Sequence, residues 1–195
     1  MSLREGGAAI VRRYRRGGFV RHFVRDLYWD RPPRPLAELI CSETARQRRI
    51  PVVEVLGAGV EWVGLGLYRG IFVTREAEGC INLWEWLQSK PAGHSRETVV
   101  TAVAQAIACM HEVGIAHADL NLTNILIQIT TNSPSVLLID FDRARVFPSS
   151  LLPRQRERNL RRLCRSLNKL DPGGLLSSPT DREIFCRAYR QHSPS

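Results

Sequence analysis

The amino-acid sequence predicts an α+β fold, with a β-rich first third and a mainly helical remainder that holds one hairpin. Three observations carry this. Aliphatic and β-branched runs separated by glycines fill the chain as far as Thr74. Apolar residues recur at helical spacing from Leu83 onward. Two aliphatic runs, 125–129 and 136–139, flank Thr130-Thr131-Asn132-Ser133-Pro134-Ser135, a turn-rich connection. The length of 195 residues, with 44% hydrophobic and 24% charged residues, suits a globular chain large enough to bury a core.

Residues 8–14 read as a strand after the Gly6-Gly7 turn, and Arg15-Arg16-Gly17-Gly18 ends it. Phe19, Phe23, Leu27 and Tyr28 follow at mixed helical spacing until Pro32, Pro33 and Pro35 interrupt. Leu36, Leu39, Ile40 and Thr44 then predict a helix as far as Gln47. Three strands, 52–56, 61–67 and 70–74, are expected between glycine turns. Helices are expected over 83–88 and 96–113, the second with a stripe of Val99, Val103, Ala106, Ile107 and Met110 and a C-cap at Gly114. A basic amphipathic helix over 153–170 carries Leu160, Leu163, Leu167 and Leu170 on one side, and Asp171-Pro172-Gly173-Gly174 stops it. Thr180-Asp181-Arg182-Glu183 opens a last short helix.

The formal net charge is +9, and every basic residue except Lys90 and Lys169 is an arginine. That surplus calls for an anionic partner such as nucleotide phosphate, phosphorylated lipid or nucleic acid. No recognised nucleic-acid reading motif accompanies it, so no nucleic-acid partner is expected. No apolar run approaches the roughly 20 residues that cross a bilayer, and the N-terminus has no apolar leader core. Cys41, Cys80, Cys109, Cys164 and Cys186 are odd in number, far apart and never in a C-x-x-C pair. Reduced thiols buried in the core are therefore expected, rather than disulfides or a zinc site. Trp62, Trp84 and Trp86 are expected as packing residues.

The chemistry is concentrated after Gly114. The chain reads His117-Ala118-Asp119-Leu120-Asn121-Leu122-Thr123-Asn124, then the hairpin, then Ile139-Asp140-Phe141-Asp142. A hairpin brings its two ends together, so Asp140 returns beside Asn124. Phosphoryl transfer from ATP needs such groups: a carboxylate to receive the proton of an attacking hydroxyl, and hard oxygens for Mg²⁺. H-x-D-x4-N followed by a strand ending in D-F resembles the catalytic loop and metal-binding triplet of the protein-kinase-like fold. The resemblance implies a two-lobe fold, an N-lobe over residues 1–75 and a mainly helical C-lobe over 76–195. It makes Asp119, Asn124 and Asp140 the catalytic residues, with Asn124 and Asp140 holding Mg²⁺ and His117 supporting the loop.

Within that fold the sequence is similar to the lipopolysaccharide kinase family, above all its 3-deoxy-D-manno-octulosonic acid (Kdo) kinases. The likeness rests on His117-Ala118-Asp119-Leu120-Asn121, on Ile139-Asp140-Phe141-Asp142-Arg143 and on the strand Val11-Arg12-Arg13-Tyr14-Arg15-Arg16-Gly17-Gly18. The helix containing Asn159-Leu160-Arg161-Arg162-Leu163 adds to it, and the whole spans about residues 8 to 170. The fold uses a basic strand residue paired with a helical acid to grip the α and β phosphates. Here Arg12 takes the strand position and Glu38 the helix position, with Glu43 as the alternative partner. Adenine is expected against 72–76, which puts Thr74 and Glu76 at the nucleotide. The fold also has two earlier strands joined by a glycine-rich loop. Nothing before Ala8 reads as such a unit, so a shortened N-terminal β-lobe is expected.

The family implies transfer of a phosphoryl group to a hydroxyl of Kdo on a lipid A precursor, with ATP and Mg²⁺ as cofactors. Arg143 and Arg145 are expected at the acceptor's carboxylate or phosphate. Arg15, Arg16, Arg21 and Arg25, with Phe19, Phe23, Tyr28 and Trp29, are expected on an anionic membrane surface. The location implied is peripheral, on the cytoplasmic face of the inner membrane. Ala118, Asn121 and the short stretch after Asp142 depart from regulated protein kinases. A kinase-like enzyme acting on protein serine and a kinase-like binding module remain as alternatives.

Overall fold

The computed structural model describes residues 6–14, 26–89, 93–128 and 134–193. Strand β1 (Ala9–Arg13) pairs antiparallel with β3 (Leu67–Arg75), placing Arg12 opposite Phe72. On its other side β3 pairs with β2 (Val55–Gly64), so β3 is the centre of a three-stranded sheet. Helix α1 (Arg34–Gln47) starts directly after Pro33, with Pro35 in its first turn, where no backbone donor is missed. An aromatic cluster of Tyr14, Tyr28, Tyr68 and Phe72 forms the core of this lobe. Tyr14 meets Tyr28 edge-on at 6.2 Å, and Tyr28 meets Tyr68 at 5.9 Å.

Where three strands were expected between residues 52 and 74, there are two long ones. The glycines at 57 and 59 do not make turns. A Cβ at Gly59 would come within 2.9 Å of the Ile71 side chain, and one at Gly70 within 2.4 Å of Pro35. These glycines serve close packing within the sheet and against α1, a use that reads like punctuation in sequence. The real turn is Gly64-Leu65-Gly66, all three residues at positive φ.

The larger lobe begins at β4 (Cys80–Asn82), which pairs with β6 (Ile125–Gln128), itself paired with β7 (Ser135–Leu138). Helix α2 (Leu83–Ser89) follows β4, and α3 (Arg96–Glu112) is capped by Ser95, whose side chain accepts the Thr98 N–H. Val99, Val103, Ala106, Ile107 and Met110 are all buried, as the stripe predicted. A short antiparallel pair, β5 (Ile115–Ala116) and β8 (Arg145–Val146), closes the loops. Helix α4 (Pro153–Leu170) and helix α5 (Pro179–Gln191) complete the lobe, α5 opening on a Ser178/Asp181 capping box.

Val52 bridges Leu138 in parallel, and Leu138 donates its N–H to Pro51 O at 2.8 Å. This seam fixes the end of α1 and the start of β2 against the hairpin, so the face of α1 looks onto the residues after β7. The core of the larger lobe takes Cys41, Ala45 and Ile50 from across the seam.

Two packing expectations are corrected. Only Cys41 is buried, on the inner side of α1; Cys80 is half-buried, and Cys109, Cys164 and Cys186 are exposed, the last two at a groove between α4 and α5 that leaves them open to solvent. Trp62 is 56% exposed, because it lies on edge strand β2, on the face of its cross-strand partner Tyr68, which it meets edge-on at 5.7 Å. Arg15, Arg16, Arg21, Arg25, Phe19 and Phe23 lie outside the described residues, as do residues 129–133 of the hairpin turn.

Candidate active site

Helix α3 ends at Glu112, and Gly114 (φ 78°) turns the chain directly into β5 and the loop that follows. His117 is fully buried and makes three contacts there. Its backbone N–H donates to Asn159 Oδ1 at 2.9 Å, its Nδ1 accepts the Asp119 N–H at 3.1 Å, and its Nε2 lies 3.0 Å from Ile139 O. Burial pushes the imidazole pKa down, so the ring is neutral. A neutral ring that accepts at Nδ1 must donate from Nε2, which assigns the tautomer. His117 thus staples the loop to the end of the hairpin, with its ring 5.0 Å from Phe141.

Asn121 then folds the loop upon itself. Its Oδ1 accepts from the N–H groups of Thr123 (2.9 Å) and Asn124 (3.0 Å), forming the 3₁₀ turn Leu122–Asn124. Its Nδ2 donates to Asp119 Oδ2 at 3.1 Å. Asn124 is buried, and its Nδ2 donates to Asp119 O at 2.9 Å, leaving Oδ1 as its remaining acceptor. Asp119 itself is exposed. Asp140 follows β7 at φ 65°, a left-handed conformation costly for a residue other than glycine, and Arg143 repeats it at φ 60°.

Across the seam, Arg12 Nη1 donates to Asp140 Oδ1 at 2.6 Å while its Nη2 grips Glu38. The Tyr14 hydroxyl donates to the same Glu38 carboxylate. Burial works against the charge on Arg12, but Glu38 and Asp140 offset it, and the guanidinium holds its proton more firmly than usual. Burial holds the Glu38 carboxyl above its ordinary range despite the pull of Arg12 and Tyr14, while the ionised form is the one that accepts from both donors. Burial and the neighbouring carboxylate push the Tyr14 phenol well above its ordinary range, so it remains a donor.

A cleft of about 240 Å³ lies between the lobes, lined by Arg12, Glu38, Thr74, Asn124 and Asp140 together with apolar Phe72 and Leu138. Of the residues expected at a nucleotide, Glu76 does not line it; its N–H is taken by Ala8 O at 2.7 Å. Glu43 pairs instead with Arg46 on the exposed side of α1. Arg143 and Arg145 are exposed and outside the cleft lining. Asn124 and Asp140 offer an amide oxygen and a carboxylate, and among the described residues no cluster of three His, Cys, Asp or Glu side chains could hold a metal alone. Two hard oxygens fit an ion that keeps waters and phosphate oxygens as its other ligands, the usual habit of Mg²⁺.

Sequence reasoning missed the supports. Asn159, buried in arginine-rich α4, accepts both from His117 N and from His111 Nε2 (3.3 Å). The Tyr189 hydroxyl, 2.7 Å away, donates to His111 Nδ1. Burial pulls the His111 pKa from 6.5 down to about 4. The unfolded chain therefore binds this proton first, and stability is full above pH 6.5 and falls as pH drops toward 4. Between pH 7 and pH 5 His111 alone contributes a loss of about 2 kcal/mol, and buried His117 adds to it with the same sign, above the range where most carboxylates titrate. Urea unfolding across that interval checks it; a flat profile contradicts a buried neutral His111.

A model of the lipopolysaccharide kinase (Kdo/WaaP) family matches residues 2–189. The chain belongs to this family. Among its relatives is a 3-deoxy-D-manno-octulosonic acid kinase from Xanthomonas axonopodis pv. citri (strain 306), 38% identical over 190 residues, covering 95% of this chain and 71% of that protein. A second relative of the same name, from Xylella fastidiosa (strain 9a5c), is 34% identical over 168 residues, covering 84% of this chain and 63% of that protein. The chain thus spans between 63% and 71% of the length of these relatives. Among solved structures, WaaP in complex with acyl carrier protein superposes with a TM-score of 0.63 at 20% identity, over 79% of this chain and 65% of that one. A glucosamine kinase (crystal form B) gives 0.58 at 12% identity, over 94% and 61%. These likenesses establish the kinase-like α+β fold, and family membership makes the chain a phosphotransferase that acts on a hydroxyl group and uses ATP.

Proposed function

We propose that this protein transfers the γ-phosphoryl group of ATP to a hydroxyl of Kdo carried on a lipid A precursor. The observation that carries the reading is the junction at Asp140, where Arg12 joins Glu38 to one end of the hairpin while Asn124, at the other end, is bonded to Asp119. Residues 1–75 grip the nucleotide and residues 76–195 supply the loop. The Arg12 fork takes the α and β phosphates, held in place by Glu38 and Tyr14. Thr74 flanks the adenine, over the apolar floor of Phe72 and Leu138. Asn124 and Asp140 hold Mg²⁺, which when bound neutralises charge on the phosphates. Asp119, fixed by Asn121, orients the acceptor hydroxyl and takes its proton as the oxygen bonds to the γ-phosphorus and ADP leaves. Arg143 and Arg145, exposed beyond Asp142, receive the carboxylate of the sugar acid.

The acceptor is lipid-borne, and the reading places the enzyme on an anionic cytoplasmic membrane surface. Among the described residues no helix is long and apolar enough to cross a membrane. Arg154, Arg158, Arg161, Arg165 and Lys169 recur along the exposed side of α4, and among the described residues Arg161 alone of these has an acidic partner, Glu157. Each such cation contributes about 1 kcal/mol near an anionic leaflet. Labelled ATP with Kdo–lipid A in vesicles is the test. Magnesium-dependent label on the lipid is expected; label on protein alone, or none, refutes the proposal.

A further inference from the structure

Asp142, two residues beyond the metal-side Asp140, has no part in the reaction described above. It is nonetheless held by a bidentate ion pair that crosses the seam. Arg34, at the first turn of α1, donates Nε to Asp142 Oδ1 at 3.0 Å and Nη2 to Oδ2. Both side chains are largely buried, at 16% and 18% exposure. The Arg34 guanidinium is set between two rings, 5.3 Å from Tyr14 and 5.0 Å from Tyr28, and its backbone N–H donates to the Tyr68 hydroxyl at 2.8 Å. The Tyr14 ring has the Arg12 guanidinium 5.1 Å from its centre as well. Two arginines therefore share one tyrosine, and each reaches one aspartate of the Asp140-Phe141-Asp142 triplet.

The backbone between those aspartates needs such restraint. Asp140 and Arg143 are both left-handed without being glycine. Phe141 is buried and cannot swing out cheaply. Arg12, the other tie on this segment, is a nucleotide ligand in the reaction and must share its donors with phosphate. Asp142 is then the anchor that stays.

We propose that Asp142 and Arg34 are positioning residues: their ion pair fixes the Asp140–Arg143 backbone so that the Asp140 carboxylate is preset for the magnesium of Mg·ATP. This rests on the kinase reading of the cleft. The pair acts on Asp140 and not on the nucleotide directly, which separates it from a bulk packing role.

The test compares the affinities of purified Asp142→Asn, Arg34→Ala and the double variant for Mg·ATP and for ATP in EDTA, beside melting temperatures. Both single variants are expected to weaken Mg·ATP about tenfold with metal-free ATP changed less than twofold. The double variant should lose no more than either single one, since both remove the same restraint. Arg34→Lys, which keeps the charge and loses the fork, should fall between wild type and Arg34→Ala. Unchanged Mg·ATP affinity overturns the proposal, as does equal loss of both nucleotide forms in step with melting temperature. An effect in Asp142→Asn absent from Arg34→Ala makes Asp142 a metal ligand itself and also overturns it. If wild type binds no ATP the kinase reading fails separately. Amide exchange over residues 140–143 then decides, with acceleration in both single variants expected and unchanged exchange refuting.

Discussion

Asp119→Ala is expected to lower kcat by roughly 100- to 1000-fold, toward the lower half of the range for a positioned acid–base group. The moderation follows from the chemistry. The phosphoryl transition state is loose, so the carboxylate contributes more by orienting the hydroxyl than by removing its proton early. The folded state loses little in exchange. Asp119 is exposed, its side chain has one hydrogen bond, from Asn121 Nδ2, and its backbone contacts to His117 and Asn124 survive truncation. Melting temperature should therefore stay within about 2 °C, a loss below 1 kcal/mol for a chain of this size. Mg·ATP affinity should be unchanged. Single-turnover transfer to Kdo–lipid A reads the chemical step alone, and wild-type rates in this variant would remove Asp119 from the mechanism.

The largest stability effect is expected at Gly114→Ala. The residue is at φ 78°, which costs a residue with a side chain about 1–2 kcal/mol. Its new Cβ would also lie 2.2 Å from Ser149 O and 2.7 Å from Phe147 O. Those are backbone atoms of the segment entering α4, bound back by Phe147 N to Gly114 O and Leu151 N to His111 O, so they cannot rotate aside. Adding an overpacking cost of about 1–3 kcal/mol gives about 3 kcal/mol in all. A fall in melting temperature of roughly 6–12 °C follows. Gly79→Ala is the control, with φ 69° and nothing within 4 Å of its Cβ; it should cost only the backbone term of about 1 kcal/mol. Equal losses in the two variants would mean that the contact at Ser149 relaxes.

Much of the site was legible because it is local. His117, Asp119, Asn121 and Asn124 sit within one short loop, and the turn chemistry that shapes it acts over two or three residues. The stripe of α3 and the aliphatic hairpin are periodic signals of the same short range. The glycines of β2 and β3 misled because a glycine that admits a neighbouring side chain looks the same in sequence as one that makes a turn. Asn159 reads in sequence only as part of the family-like tract of α4; its supporting role was invisible, since only the buried face of the helix reveals it. Least legible were the ties between lobes: Arg12 to Asp140 spans 128 residues and Arg34 to Asp142 spans 108. Arg12 and Asp140 were legible as site residues but not as each other's partner, and Arg34 reads alone as a solvated charge. Only the folded register of β1 and α1 brings these pairs together.

The guanidinium at position 12 also sets the chemical character of the cleft. A lysine there could be acylated or form an imine with an aldehyde, and in alkaline solution it would surrender its proton. Arginine does none of these readily: its charge persists wherever the protein stays folded. The cleft is thus built around a cation inert to amine-seeking electrophiles, which include acyl phosphates and activated esters.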